Sequence, residues 1–270
     1  MHNHIPKLAI GFIVFKSECN LHQRLLMLNA LKIPFYIYDN SPECTEIYAL
    51  VADLPFCKYI TDGKNLGLGL GLKTLAIQAY EDGFEALLFF DQDTSFTEET
   101  IHFSQSFFSK NFSKLEAHYS AVSLSSKKLG SSPLSSSHSV QEVDLIINSG
   151  SLFFLKNLSK MAWHNASYFV DGVDYEFCLR SHVYGMKVGI CQNVPGFDHV
   201  SEQPDEVFNL FGKQLLIRRY SAFRIQDALH SYCRLIYASL ISGQFTYAVK
   251  FMRSSLIYLL GLTLSRVLLK

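Results

Sequence analysis

The sequence predicts an α/β fold, a mostly parallel sheet with helices over its faces. Three observations carry this. Short β-rich apolar runs alternate with stretches of helical periodicity through the first third of the chain. Two of those runs end in carboxylates, Asp39 in one and Asp91 with Asp93 in the other, and α/β sheets collect functional groups at such ends. The chain is also long enough, at 270 residues with 49% hydrophobic content, to bury a substantial core.

The elements follow in order. "LAIGFIVF" (8–15) lacks a strongly basic lead and a small-residue cleavage site, so it reads as a buried strand and not as a secretion signal. "NLHQRLLMLNAL" (20–31) has apolar positions at helical spacing, and "FYIYDNS" (35–41) is a strand closing in turn residues. "LGLKTLAIQAYEDG" (70–83) is a helix stopped by Gly83, and "EALLFFDQD" (85–93) is the next strand. The Ser-rich segment 123–139 reads as a loop, and "VDLIINSGSLFFL" (143–155) returns to strand. "YFVDGVDYEFCLRSHVYG" (168–185) sets carboxylates ahead of a helix stopped by Gly185, and "MKVGICQNVPGFDHV" (186–200) is a last strand ending at His199. Beyond residue 212 no strand signal remains. The expected organisation is an α/β body over 1–212 and a helical tail over 213–270.

Charge separates these two parts. The net formal charge is zero, which gives no reason to expect a nucleic-acid partner. From Lys213 onward, however, nine Lys or Arg stand against one acid, Asp227, for a net charge of +8, and the first 212 residues carry −8. The six cysteines are scattered with no C-x-x-C pair, as expected of reduced core residues in a cytoplasmic protein. No stretch reaches the ~18 uninterrupted apolar residues that spanning a bilayer requires.

"FFDQDTSF" (89–96) is the most informative segment. Residues i and i+2 of a strand share a face, so a slight turn aims Asp91 and Asp93 at one point. Such a pair suits Mg²⁺ or Mn²⁺, hard ions that complete their oxygen shell with substrate phosphates. A solvated strand end gives the same pattern. So does a phosphohydrolase of the haloacid dehalogenase type with Asp91 as nucleophile, although that class wants Thr or Val where Ser95 stands. Asp171, Asp174 and Glu176 lie within six residues of one another and repel unless a cation offsets them. One of them could serve as a general base, and acids at a helix N-terminus are equally expected from the dipole. "NLGLGLGL" (65–72) does not match G-x-G-x-x-G, and close helix packing accounts for its glycines equally well.

Taken together, "YDNS", "KNLGLG", "FFDQD", "NSGSLFF", "FVDGVDYEFCLR" and a late "DH" resemble the inverting glycosyltransferase family 2. Within it they are most similar to bacterial rhamnosyltransferases, where D-Q-D is characteristic. The resemblance spans residues 8 to 224 in consistent order. It implies a GT-A nucleotide-sugar-binding domain over 1–212, with Asp174 as catalytic base and a Mg²⁺ or Mn²⁺ ion held by Asp93, Asp91 and His199. It further implies substrate contacts from Asp39, Asn65, Gly67, Lys73, Asp91, Ser149, Gly150 and Arg180. Arg218, Tyr220 and Arg224 resemble a late R-x-Y-x-x-x-R element, with Ile225 where an Asn often follows. Two departures stand out: "VFKSE" replaces a Thr-Tyr-Asn-like turn after the first strand, and Lys73 stands where an Asn is usual. The implied donor is dTDP-L-rhamnose and the implied acceptor a growing, lipid-linked cell-surface polysaccharide. A non-catalytic nucleotide-sugar-binding or scaffold protein is the remaining alternative.

The tail carries "LIYASLISGQFTYAV" (235–249) and "SSLIYLLGLTLS" (254–265), each bounded by cations. This is the pattern of helices lying on an anionic membrane, here the inner face of the plasma membrane. Helices that cover the body or form a homodimer contact would give the same pattern.

Overall fold

The computed structural model describes residues 6–16, 20–43, 46–126, 140–198, 206–210, 213–217 and 220–268. The strands are β1 (Leu8–Val14), β2 (Phe35–Asp39), β3 (Cys57–Thr61), β4 (Ala86–Asp91), β5 (Tyr119–Leu124), β6 (Val140–Val143), β7 (Ser151–Phe154), β8 (Lys187–Cys191), β9 (Glu206–Leu210) and β10 (Lys213–Ile217). The helices are α1 (Asn20–Ala30), α2 (Glu46–Val51), α3 (Leu68–Glu81), α4 (Glu98–Glu116), α5 (Leu155–Lys160), α6 (Val173–Val183), α7 (Ala222–Ile241) and α8 (Phe245–Leu268).

Eight strands form one sheet in the order β3-β2-β1-β4-β7-β5-β8-β6. The half β3-β2-β1-β4 is parallel, as the β-α-β-α-β reading requires; β7 then runs antiparallel to both β4 and β5. Period-two alternation sorts the side chains into two cores. Ile10, Phe12 and Val14 of β1 and Leu88 and Phe90 of β4 pack with α1 and α4 on one face. Ala9 and Ile13 of β1 and Leu87 and Phe89 of β4 pack with α3, α5, α6 and the inner sides of α7 and α8 on the other.

The glycines of "NLGLGLGL" are packing devices. A Cβ on Gly69 would lie 2.4 Å from the Tyr168 carbonyl oxygen, and one on Gly71 would lie 2.8 Å from Ile13 Cδ1. Gly67 has φ +90, so it both opens α3 and brings its backbone against Phe169. Helix α3 thereby sits close on the sheet and on the loop that leads to α6.

Three expectations need correction. Residues 213–217 form strand β10, paired antiparallel with β9, where a purely helical tail was expected. "VDLIINSG" is mostly not strand: β7 begins only at Ser151, after a turn in which Gly150 takes φ +74. The last strand of the sheet stops at Cys191, and Asp198 returns only through an isolated bridge to Ser95.

Helices α7 and α8 dock on the α/β body. Asp227 Oδ2 accepts the backbone N–H groups of Asp171 at 2.8 Å and Val170 at 3.1 Å. The Tyr247 hydroxyl donates to the Asp144 carbonyl at 2.9 Å, while Leu235, Tyr247 and Phe251 are buried in the second core.

Candidate functional site

The carboxyl end of β4 supplies the first part of the site. Asp91 is its last residue, and the chain turns there, with the Thr94 N–H donating to the Asp91 carbonyl at 3.1 Å. Three side chains hold that turn. The Gln92 carboxamide accepts the Phe15 N–H at 2.9 Å and donates to the Phe15 carbonyl at 3.3 Å, stitching the loop to the end of β1. The Arg24 guanidinium donates to the carbonyls of Gln92, at 2.6 Å, and Thr94. Ser149 Oγ accepts the Asp91 N–H at 3.0 Å and lies 2.5 Å from Thr94 Oγ1. The middle residue of D-Q-D is thus a brace that fixes where the two carboxylates point.

The second part comes from the loop before α6 and its first turn. Gly172, with φ +81, lets the chain enter α6 so that Asp174 falls in the first turn. Asp174 Oδ1 accepts the Asn148 N–H at 2.9 Å. Asp171 is held by Arg224 through two contacts of 3.0 Å.

These groups border a cavity of about 520 Å³ lined by Leu68, Asp91, Asp93, Asp171, Asp174 and, from the helical segment, Arg224 and Leu235. Tyr175, Tyr220, Tyr232 and Tyr258 form an aromatic wall on the same cavity. Ring centroids of Tyr258 lie 5.5 Å from Tyr220 and 6.0 Å from Tyr232. The Tyr258 hydroxyl is buried and has no hydrogen-bond partner among the described residues.

Burial and mutual repulsion shape the acids. Burial, then the charges of Asp174 and Asp93, push the Asp91 carboxyl up to about 7 against the opposing hydrogen bond from Ser149. Burial raises Asp174 to about 6, with the Asn148 N–H opposing and Asp171 adding to the rise. Asp171 is raised chiefly by burial, against the pull of Arg224. Carboxylates this crowded are what a divalent cation would relieve, and oxygen-only donors suit Mg²⁺ or Mn²⁺. Asp91 and Asp93 fit that role with substrate phosphates completing the shell. Among the described residues no group of three metal-ligating side chains is assembled, and His199, the expected third ligand, lies outside them, as does Arg218.

The other expected residues divide. Tyr220 and Arg224 reach the cavity. Ser149 and Gly150 act beneath it: Ser149 steadies Asp91, and a Cβ on Gly150 would meet the Phe197 ring at 2.4 Å. Asp39 is buried, its carboxylate accepting the Ser41 N–H at 2.9 Å and the Tyr59 hydroxyl at 2.7 Å. Asn65 Oδ1 accepts the Gly67 N–H at 3.1 Å, opening α3. Lys73 is half-buried on α3 and does not line the cavity. Arg180 faces away from it, paired with Glu176 at 2.8 Å and donating to the carbonyls of Met161 and Trp163. Glu176 likewise lies outside this cavity. The sequence reading missed Tyr175, Tyr232, Tyr258, Asp227 and Asn148, whose backbone or side chains build the site.

No protein-family model matches the chain, and no curated protein matches it. Solved structures do. The crystal structure of S. aureus TarS is similar with a TM-score of 0.52 at 16% identity, over 71% of this chain and 36% of that one. The crystal structure of S. aureus TarS 1-349 in complex with UDP-GlcNAc has a TM-score of 0.52 at 15% identity, over 74% of this chain and 60% of that one. The chain thus spans three fifths or less of the length of these neighbours. At such identity the likeness is one of fold, and the fold is the α/β GT-A class.

Proposed function

We propose that the chain is an inverting glycosyltransferase that moves a sugar from a nucleotide-sugar donor to a glycan acceptor. One observation carries this reading. The GT-A sheet delivers Asp91 and Asp93 to a cavity that Asp174, in the first turn of α6, also lines, with its carboxyl held near 6. A base with that value is ionised at neutral pH yet basic enough to draw a proton from a hydroxyl as it attacks. Asp174 takes the acceptor proton, the acceptor oxygen bonds to the anomeric carbon from the face opposite the leaving diphosphate, and the bond to the diphosphate breaks. One displacement inverts the anomeric centre.

Asp91 and Asp93 would hold Mg²⁺ or Mn²⁺, which when bound offsets the charge growing on the diphosphate. The tyrosine wall stands on the acceptor side in this reading. Pyranose rings present apolar C–H faces and hydroxyl edges, and tyrosine offers both an apolar ring and a polar tip. A phosphohydrolase is less well served, because a nucleophilic Asp91 held at about 7 is only half ionised at neutral pH.

The D-Q-D sequence supports dTDP-L-rhamnose as donor, and the neighbour with UDP-GlcNAc bound makes that compound the natural competitor. A lipid-linked polysaccharide is the acceptor this reading favours. Thermal-shift titration with dTDP-L-rhamnose, UDP-GlcNAc and UDP-glucose, each with Mn²⁺, tests the assignment. Stabilisation by dTDP-L-rhamnose at the lowest concentration supports it. Preference for a UDP-sugar replaces the donor, and silence toward all three removes the function.

A further inference from the structure

We infer that the outer face of α8 is a docking surface for an anionic lipid bilayer. Phe245, Val249, Met252, Leu256 and Leu260 follow one another at helical spacing, and all are exposed, Leu256 to 61% and Leu260 to 63%. Ile257 and Leu259 widen the stripe. Isolated exposed apolar residues are ordinary, but a contiguous stripe over about four helical turns, from Phe245 to Leu260, marks an interaction surface. At its upstream end it meets Tyr237, Leu240 and Ile241 of α7, which are also exposed.

The opposite face of α8 is committed elsewhere. Tyr247 and Phe251 are buried in the second core, Ala248 and Leu262 are buried too, and Tyr258 lines the cavity. Among the described residues no helix is long and apolar enough to cross a membrane, so α8 can lie on a bilayer but not through it.

Charge selects the occupant. Helix α8 contains Lys250, Arg253 and Arg266 and no acidic residue, and no acid follows Asp227 to the end of the chain. Lys250 is paired with Asp144 of the body, while Arg253 is exposed next to Met252 of the stripe, the arrangement that suits anionic headgroups over acyl chains. A second copy of the same face fits worse, because symmetric pairing sets like charges together. Docking through α8 also places the cavity about one helix diameter, ~10 Å, from the lipid surface, within reach of an acceptor carried on lipid. Only that last consequence rests on the proposed function; the binding itself does not.

Co-sedimentation of the full chain with vesicles tests this without any activity measurement. The expected result is pelleting with equal parts phosphatidylglycerol and phosphatidylcholine at low salt, and little with phosphatidylcholine alone. Val249→Asp combined with Leu256→Asp should lower the bound fraction at least tenfold with an unchanged melting temperature, and Arg253→Gln alone should lower it several-fold. If the double variant melts early, Leu256→Ser with Arg253→Gln replaces it. A wild-type chain that stays in solution overturns the inference, as does an Asp variant that pellets like wild type. Light scattering that shows a dimer, split by the same substitutions, would assign the face to a second copy and overturn it as well.

Discussion

Arg224 grips Asp171 at two points, Nε to Oδ2 and Nη2 to Oδ1, each at 3.0 Å. The pair joins the first turn of α7 to the loop before α6, so the helical segment helps to shape the cavity. Lysine cannot reproduce a two-point grip. Arg224→Lys should lower kcat by about an order of magnitude and lower the melting temperature slightly, since a half-exposed ion pair contributes on the order of 1 kcal/mol. Wild-type kcat in this variant would make the pair incidental to turnover.

Asp174→Asn should remove transfer and keep donor binding, because the base acts on the acceptor. Loss of a general base typically costs ~10² to 10⁴-fold in rate. In the wild type, kcat/KM should fall as pH drops through about 7 and about 6, where Asp91 and then Asp174 take up protons. Calorimetry in which the variant no longer binds donor would move Asp174 into the nucleotide site.

Much of this was legible in the sequence, and the gaps have physical causes. The apolar runs of β1, β2 and β4 are buried nearly throughout, so hydrophobicity alone marks them. Strand β3, "CKYIT", lies at the sheet edge and is only half-buried, which leaves its pattern too mixed to stand out. Asp91, Asp93 and Asp174 were visible because acids closing an apolar run or clustered before a helix are unusual. Arg180 looked equally available, yet its pairing with Glu176 one helical turn away turns it inward. The tyrosine wall was not legible, because Tyr175, Tyr232 and Tyr258 come from three helices and share no spacing.

Asp91 and Asp174 should make the protein less stable as pH rises. Their folded values of about 7 and about 6 stand above the ordinary 3.8, so the folded chain holds protons that the unfolded chain has released. Stability is then highest near pH 4 and declines as pH climbs through about 7, before other groups intervene. Asp91→Asn should raise the melting temperature at pH 8 by a few degrees and leave it unchanged at pH 4. Mn²⁺ should stabilise the wild type at pH 8, and Asp93→Asn should abolish that gain. A Mn²⁺ response that survives in Asp93→Asn would refute the metal assignment.

Two glycines within helices should respond with opposite sign. A Cβ on Gly69 meets the Tyr168 carbonyl at 2.4 Å and the Asn165 carbonyl at 2.6 Å, both backbone atoms that cannot step aside cheaply. Gly69→Ala should therefore lower the melting temperature sharply. Gly261 has nothing within 4 Å, so Gly261→Ala should stabilise α8 by roughly 0.5 to 1 kcal/mol. Equal tolerance at both positions would mean that α3 is not seated as closely as described.

Release of free nucleoside diphosphate from dTDP-L-rhamnose, followed with Mn²⁺ and a membrane-glycolipid extract as acceptor, tests the central claim most directly. The account predicts acceptor-dependent release of dTDP, with the sugar transferred in inverted configuration, that falls at least a hundredfold in Asp174→Asn. Turnover that persists at the wild-type rate in that variant, or a product that retains the donor's anomeric configuration, would contradict it.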